Sequence, residues 1–162
     1  MKNKKIVFFF IFIGIFSLSI ATSCRKKTNE KLYEESKTAD LVFYKSKDTI
    51  YGPKGGSPHG AFKLKFNSTA VGVLGADGKL ASGSEFPKGS LLVKEVYEGT
   101  TLKLYAVMKK DPTSKYASNG WVWAEYKPNG GVEYDISKTG SACTSCHSNS
   151  PARDLTRSFD LH

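Results

Sequence analysis

LLVKEVYEGTTLKLYAVM, residues 91–108, reads as two strands joined by a tight turn. Leu92, Lys94 and Val96 fall on one face of the first strand, and Leu91, Val93, Glu95 and Tyr97 on the other. That two-residue period belongs to an extended, half-buried chain. Glu98-Gly99-Thr100 makes the turn, after which Leu102, Leu104, Ala106 and Met108 share one face of the return strand. Working outward, Phe62, Leu64 and Phe66 alternate with Lys63 and Lys65. Trp121–Tyr126 is a further strand, which Lys127–Gly131 folds back onto Val132–Ile136. Gly130 or Gly131 supplies the positive φ of that last turn. Neighbouring strands joined by short turns pair antiparallel. The expected fold class is mostly β (α+β): a single antiparallel sheet of about five strands with short helices, the last of them C-terminal. Gly52–Gly60, with four Gly and two Pro, is a loop.

The chain has 162 residues, one domain by length, with 40% apolar and 24% charged residues, ordinary for a globular protein. Its formal charge is +9, but Lys2, Lys4 and Lys5 crowd the start. Without them, twenty-one basic residues face fifteen acidic ones, scattered and interleaved, which argues against nucleic-acid binding. Those lysines precede an apolar run from Ile6 to Ile20, too short to span a bilayer and typical of an export signal. Ala21, Thr22 and Ser23 then lead to Cys24, an arrangement resembling a bacterial lipoprotein signal, in which the cysteine becomes the lipidated first residue. The expected division is a signal peptide at 1–23, a lipidated Cys24 with a polar tether to residue 40, and a folded domain over 41–162. A short helix around Leu32–Ser36 is the only structure expected in the tether. The protein is expected outside the cytoplasm, lipid-anchored on the periplasmic side of a bacterial membrane.

Two of the three cysteines, Cys143 and Cys146, lie in CTSCH, residues 143–147. C-x-x-C-H is the attachment sequence of c-type haem, with two thioethers and an adjacent histidine for the iron. One helical turn separates the thiols so that both reach the same porphyrin edge, and His147 follows as proximal ligand. A thioredoxin-like redox pair would sit near a βαβ pattern, which is absent, and a zinc site would need two more ligands. One covalent haem c per chain, on a C-terminal haem-attachment helix, is therefore expected, with Cys143, Cys146 and His147 holding it. No methionine follows the motif. Met108 reads as core, and His59 and His162 read as structural or solvated, so the sixth iron position is expected to be open. That favours small-molecule chemistry over electron transfer.

With these motifs in place the chain resembles the cytochrome P-460 and cytochrome c′-beta family. The resemblance covers about residues 57–155 and rests on SPHG…FN (57–67), FPKGSLLVKEVY (86–97), YAVMKK (105–110), GWVWAEY (120–126) and CTSCH. It implies a homodimer of sheets carrying haem on one face with an open distal site. Some members oxidise hydroxylamine and nitric oxide; others only bind nitric oxide and carbon monoxide. In the enzymes a lysine is bonded to the haem ring, and by motif position that residue is Lys94, with Lys109 a second candidate. A carboxylate near the distal face is implied shortly before the Trp-rich strand, where Asp111–Gly120 holds no Glu. Phe62 and Phe86 are candidates for an aromatic distal wall, and Trp121 and Trp123 for packing near the haem. The alternative is a six-coordinate periplasmic electron-transfer cytochrome c. In either case the redox partner is not named by the sequence.

Overall fold

The computed structural model describes residues 23–162; the export signal read at 1–23 lies outside them except for Ser23. Six strands run in chain order across one sheet: β1 (Val42–Phe43), β2 (Ala61–Phe66), β3 (Leu91–Glu98), β4 (Thr101–Lys110), β5 (Trp121–Tyr126) and β6 (Val132–Tyr134). Each pairs antiparallel with the next. The strand beyond the expected five is β1, two residues long and too short to alternate visibly. β6 stops at Tyr134 because the Asp135 carboxylate accepts the Ser137 N–H at 2.8 Å and starts a 3-10 turn over Ile136–Lys138. In the preceding turn it is Gly130 that takes the left-handed conformation, at φ +88°.

The sheet carries apolar residues on both faces. Phe62, Leu64, Phe66, Leu92, Met108, Trp121 and Trp123 form one core with Tyr44, Phe86 and Phe159. Leu91, Val93, Val107, Val122, Ala124 and Tyr126 form the other with Leu32 and Ile136. The first face receives the helices α2 (Ser68–Val71), α3 (Ser141–His147) and α4 (Ser158–Leu161).

The second face is covered by α1, residues 23–36, in the stretch read as a polar tether. That reading is corrected. Leu32 and Ser36 are buried, as is Asn29, whose side chain bonds to the Tyr126 hydroxyl and the Asp135 carboxylate at 3.1 Å each. Tyr33 donates to the Pro128 carbonyl at 2.6 Å, and Glu35 accepts from Lys109 at 2.5 Å. Arg25, Asn29, Leu32 and Ser36 share one face at helical spacing. Only Leu32 of that stripe is apolar, while Asn29 docks by hydrogen bonds and Arg25 by an ion pair to Asp135 at 3.9 Å, which is why hydropathy does not show it.

Candidate haem site

Register lays the first sheet face out in rows. Phe66, Leu92, Met108 and Trp123 lie side by side; Leu64, Lys94, Ala106 and Glu125 form the next row; Phe62 and Val96 follow. Over these rows lies a cavity of about 300 Å³. Its wall on one side is α3, and on the other the loop bearing Pro58 and His59. A pocket of this size matches small-molecule and cofactor sites.

Cys143, Cys146 and His147 all line it. Helix α3 begins at Gly140, whose φ of +67° suits a residue without a side chain. A Cβ there would overlap Trp123 Cδ1 and stand 2.7 Å from Nε1, so Gly140 lets α3 lie directly on the Trp123 ring. That ring meets the His147 imidazole edge to face, centroids 4.8 Å apart. His147 Nδ1 is 2.7 Å from the Leu155 carbonyl oxygen. A carbonyl only accepts, so Nδ1 carries the proton and Nε2 keeps its lone pair. This is the carbonyl partner expected of an iron-binding histidine. Burial lowers the His147 pKa to about 4, so the ring is neutral.

The Cys143 thiol lacks the character of a reactive redox thiol. Burial raises the Cys143 pKa to about 11, opposite to the lowered values of reactive Cys-x-x-Cys pairs. Among the described residues no group of three or more His, Cys, Asp or Glu is arranged to hold a metal ion, which gives a zinc reading no support. Thr156 Oγ1 also belongs to a pocket residue and is buried without a hydrogen-bond partner among the described residues, a hydroxyl that a bound group can satisfy. The residues present therefore fit a haem: two thiols, a neutral imidazole with a free nitrogen, largely apolar walls and one unpaired hydroxyl.

Lys94 lies in the pocket with Nζ 4.1 Å from the centre of the Phe62 ring and no carboxylate in salt-bridge range among the described residues. Burial, with Arg157 nearby, lowers its pKa to about 8. Lys109 points to the opposite face, where Glu35 binds it, and has no access to the pocket. Phe62 lines the cavity, whereas Phe86 packs on Trp121 in the core at 5.6 Å.

Two pocket residues were not assigned a role from sequence. Glu125, on β5, lines the cavity, and burial raises its carboxyl pKa. A carboxyl that Asp111–Gly120 does not offer thus stands in the pocket from the Trp-rich strand itself, where the alternation Trp121, Trp123, Glu125 already put it on this face. His59, read as structural or solvated, also lines the pocket, and its Nδ1 is 3.8 Å from the Glu125 carboxylate. Burial lowers the His59 pKa to about 4, so at neutral pH this approach is not an ion pair. His162 lies at the rim, its ring 5.3 Å from both Tyr51 and Phe62.

The sign of the His59 effect is testable. Below pH 6.5 the unfolded chain binds a proton that the folded chain refuses until about pH 4, so stability falls as pH drops through that window. The loss reaches on the order of 3 kcal/mol by the base of it. His147, whose pKa is likewise lowered to about 4, adds a like contribution, so urea unfolding at pH 7 and pH 4.5 should show the drop and His59→Phe should reduce it by about half without abolishing it; parallel pH profiles would place His59 in solvent.

No curated protein matches the chain. A family model does, that of Cytochrome P460, over residues 44–157. The match takes in the sheet from β2 to β6, the pocket except for its lining by Ser158, Leu161 and His162, and the C-x-x-C-H helix. A chain that presents a neutral histidine and two thiols to one pocket, and that matches this model over most of its length, belongs to the cytochrome P460 family of haem proteins.

Proposed function

We propose that the protein is an exported, lipid-anchored mono-haem c cytochrome that binds or oxidises small nitrogen compounds, nitric oxide and hydroxylamine, at an open iron position. One observation carries this reading. The pocket rows beyond Trp123 and His147 hold Lys94, Glu125, His59 and Phe62: an amine, a carboxyl, a neutral imidazole and an aromatic wall, with no methionine among them. Met108 also lines the pocket, but it pairs with Trp123 on the row that backs His147.

When bound, the haem would supply redox chemistry and a ligand position on the iron; the protein would supply attachment and proton handling. Cys143 and Cys146 would hold the ring by thioethers and His147 would hold the iron. Lys94, with its pKa near 8, keeps a neutral amine fraction at physiological pH, as a nucleophile requires. Joined to the ring edge it would add a third anchor, exchanging one N–H and one C–H for an N–C bond and passing two electrons and two protons to an oxidant of the peroxide class. Glu125 would accept protons from hydroxylamine, with His59 next to it.

The test is the absorption spectrum of the ferrous protein before and after denaturation in alkaline pyridine. A high-spin spectrum supports an open site. A red-shifted band that does not give the ordinary c-type pyridine spectrum, and that Lys94→Arg restores to it, supports the Lys94 bond. A low-spin, six-coordinate spectrum that His59→Phe converts to high-spin would overturn the proposal in favour of an electron carrier, the reading that the position of His59 favours. Glu125→Gln separates catalysis from gas binding: hydroxylamine turnover is expected to fall about 100-fold, with nitric oxide affinity unchanged. Equal turnover would remove Glu125 from the chemistry.

A further inference from the structure

Asp154 lies seven residues after His147 and is buried. Its carboxylate accepts from Lys110 Nζ through both oxygens at 2.8 Å, from Trp121 Nε1 at 3.1 Å and from the Phe86 backbone N–H at 2.9 Å. These donors come from the end of β4, the start of β5 and the loop before β3, so one carboxylate ties three parts of the sheet to the segment behind α3. The Lys110 side chain is as buried as its partner, at 5% against 7% exposure. Among the described residues the exposed Glu85 is its only other carboxylate, at 3.5 Å.

The backbone at this point is unusual. Asp154 and Leu155 both take left-handed conformations, at φ +48° and +66°. Asp tolerates that region; a bulky residue such as Leu rarely enters it. The Leu155 carbonyl that results is the one accepting from His147 Nδ1 at 2.7 Å, and it also accepts the Arg157 N–H at 3.2 Å. A turn of this kind persists only where its surroundings hold it. Its surroundings are the backbone bonds from the Asp154 N–H to Pro151 at 3.3 Å and from the Leu155 N–H to Ser150 at 3.1 Å, the packing of Leu155 on the first core, and the Asp154 carboxylate with its four side-chain hydrogen bonds.

We infer that Asp154, clamped by Lys110, is a positioning residue for the iron ligand: it fixes the turn whose carbonyl orients His147 and sets the basicity of its ring. The inference rests on the reading of His147 as proximal ligand. A hydrogen bond from Nδ1–H to a fixed carbonyl raises the basicity of the opposite nitrogen, strengthens the iron–histidine bond and favours ferric iron. Neither Asp154 nor Lys110 lies among the residues lining the pocket, so neither touches a group bound there, and the bonded route from Asp154 to His147 is the adjacent Leu155 carbonyl.

The experiment is resonance Raman spectroscopy of the ferrous haem-loaded protein, with the reduction potential measured alongside. Asp154→Asn keeps the shape and the tolerance for a left-handed backbone but removes the charge facing Lys110. The iron–histidine stretching band is expected to shift to lower frequency and the potential to rise. Lys110→Arg, which keeps the buried positive charge, should move both less. If Asp154→Asn does not accumulate as folded protein, Lys110→Gln decides, with a smaller shift expected in the same direction. A band and potential that stay in place while the melting temperature falls would reduce the pair to a stabilising one and overturn the inference. Absence of any iron–histidine band from the wild-type protein would instead overturn the ligand assignment.

Discussion

Gly140→Ala should unfold about 10 °C below the wild type and bind haem covalently in reduced yield. Two costs add at this position. An L-residue held in the left-handed region loses roughly 1–2 kcal/mol. Forcing a methyl group into packed surroundings costs about 1–3 kcal/mol more, and here the obstacle is the rigid indole of Trp123. For a domain of this size each kcal/mol lowers the midpoint by roughly 2–4 °C. Gly56 provides the control, because it has the same φ of +67° and nothing within 4 Å of where a Cβ would stand. Gly56→Ala therefore bears the conformational cost alone. Thermal unfolding of both variants, with a haem stain after denaturing electrophoresis, tests the argument. Equal behaviour of the two would mean that α3 does not rest on Trp123 as described.

His147→Ala should abolish the native ferrous spectrum while leaving the haem attached, since the thioethers proposed at Cys143 and Cys146 would not depend on the imidazole. The wild-type ring is neutral, protonated on Nδ1 and backed by Trp123, so its free nitrogen is pre-oriented and no proton has to be displaced at neutral pH. Alanine leaves a hole of imidazole size beside Trp123. Added imidazole should enter it and restore most of the native spectrum, a rescue that unfolding could not imitate. An unchanged spectrum in the variant would assign the iron to another ligand, and His59 and His162 are the other imidazoles lining the same pocket.

Strand alternation made most of the sheet readable. β3 and β4 follow their hydrophobic periods over Leu91–Val96 and Leu104–Met108, but the register shifts between Val96 and Tyr97, so that Leu102 pairs with Tyr97 and does not share the face of Leu104 as its spacing predicts; Trp121–Tyr126 matches β5 without adjustment. What could not be read was structure held by polar groups. The docking stripe of α1 is Arg25, Asn29, Leu32 and Ser36, and only one of the four is apolar. His59 offered no signal at all: a single histidine in a Gly- and Pro-rich loop reaches the pocket because of where β2 begins. Glu125 was half legible, since its strand face was evident but the search for a carboxylate looked in the loop before it. The clamp on Asp154 joins residues distant in sequence, and no local pattern could have shown it.

Helix α1 changes what an acyl chain at Cys24 would do. A flexible leash would let the domain swing tens of ångströms from the bilayer. Here the leash has no slack, because Cys24 is already helical and exposed and Arg25 lies 3.9 Å from Asp135 on the body of the domain. α1 occupies one face of the sheet and the pocket opens on the other. A lipid there would fasten the protein like a badge, back to the membrane. Ligands and electron donors would then arrive from the aqueous side, and a partner confined to the same bilayer would have to reach around the domain to meet it.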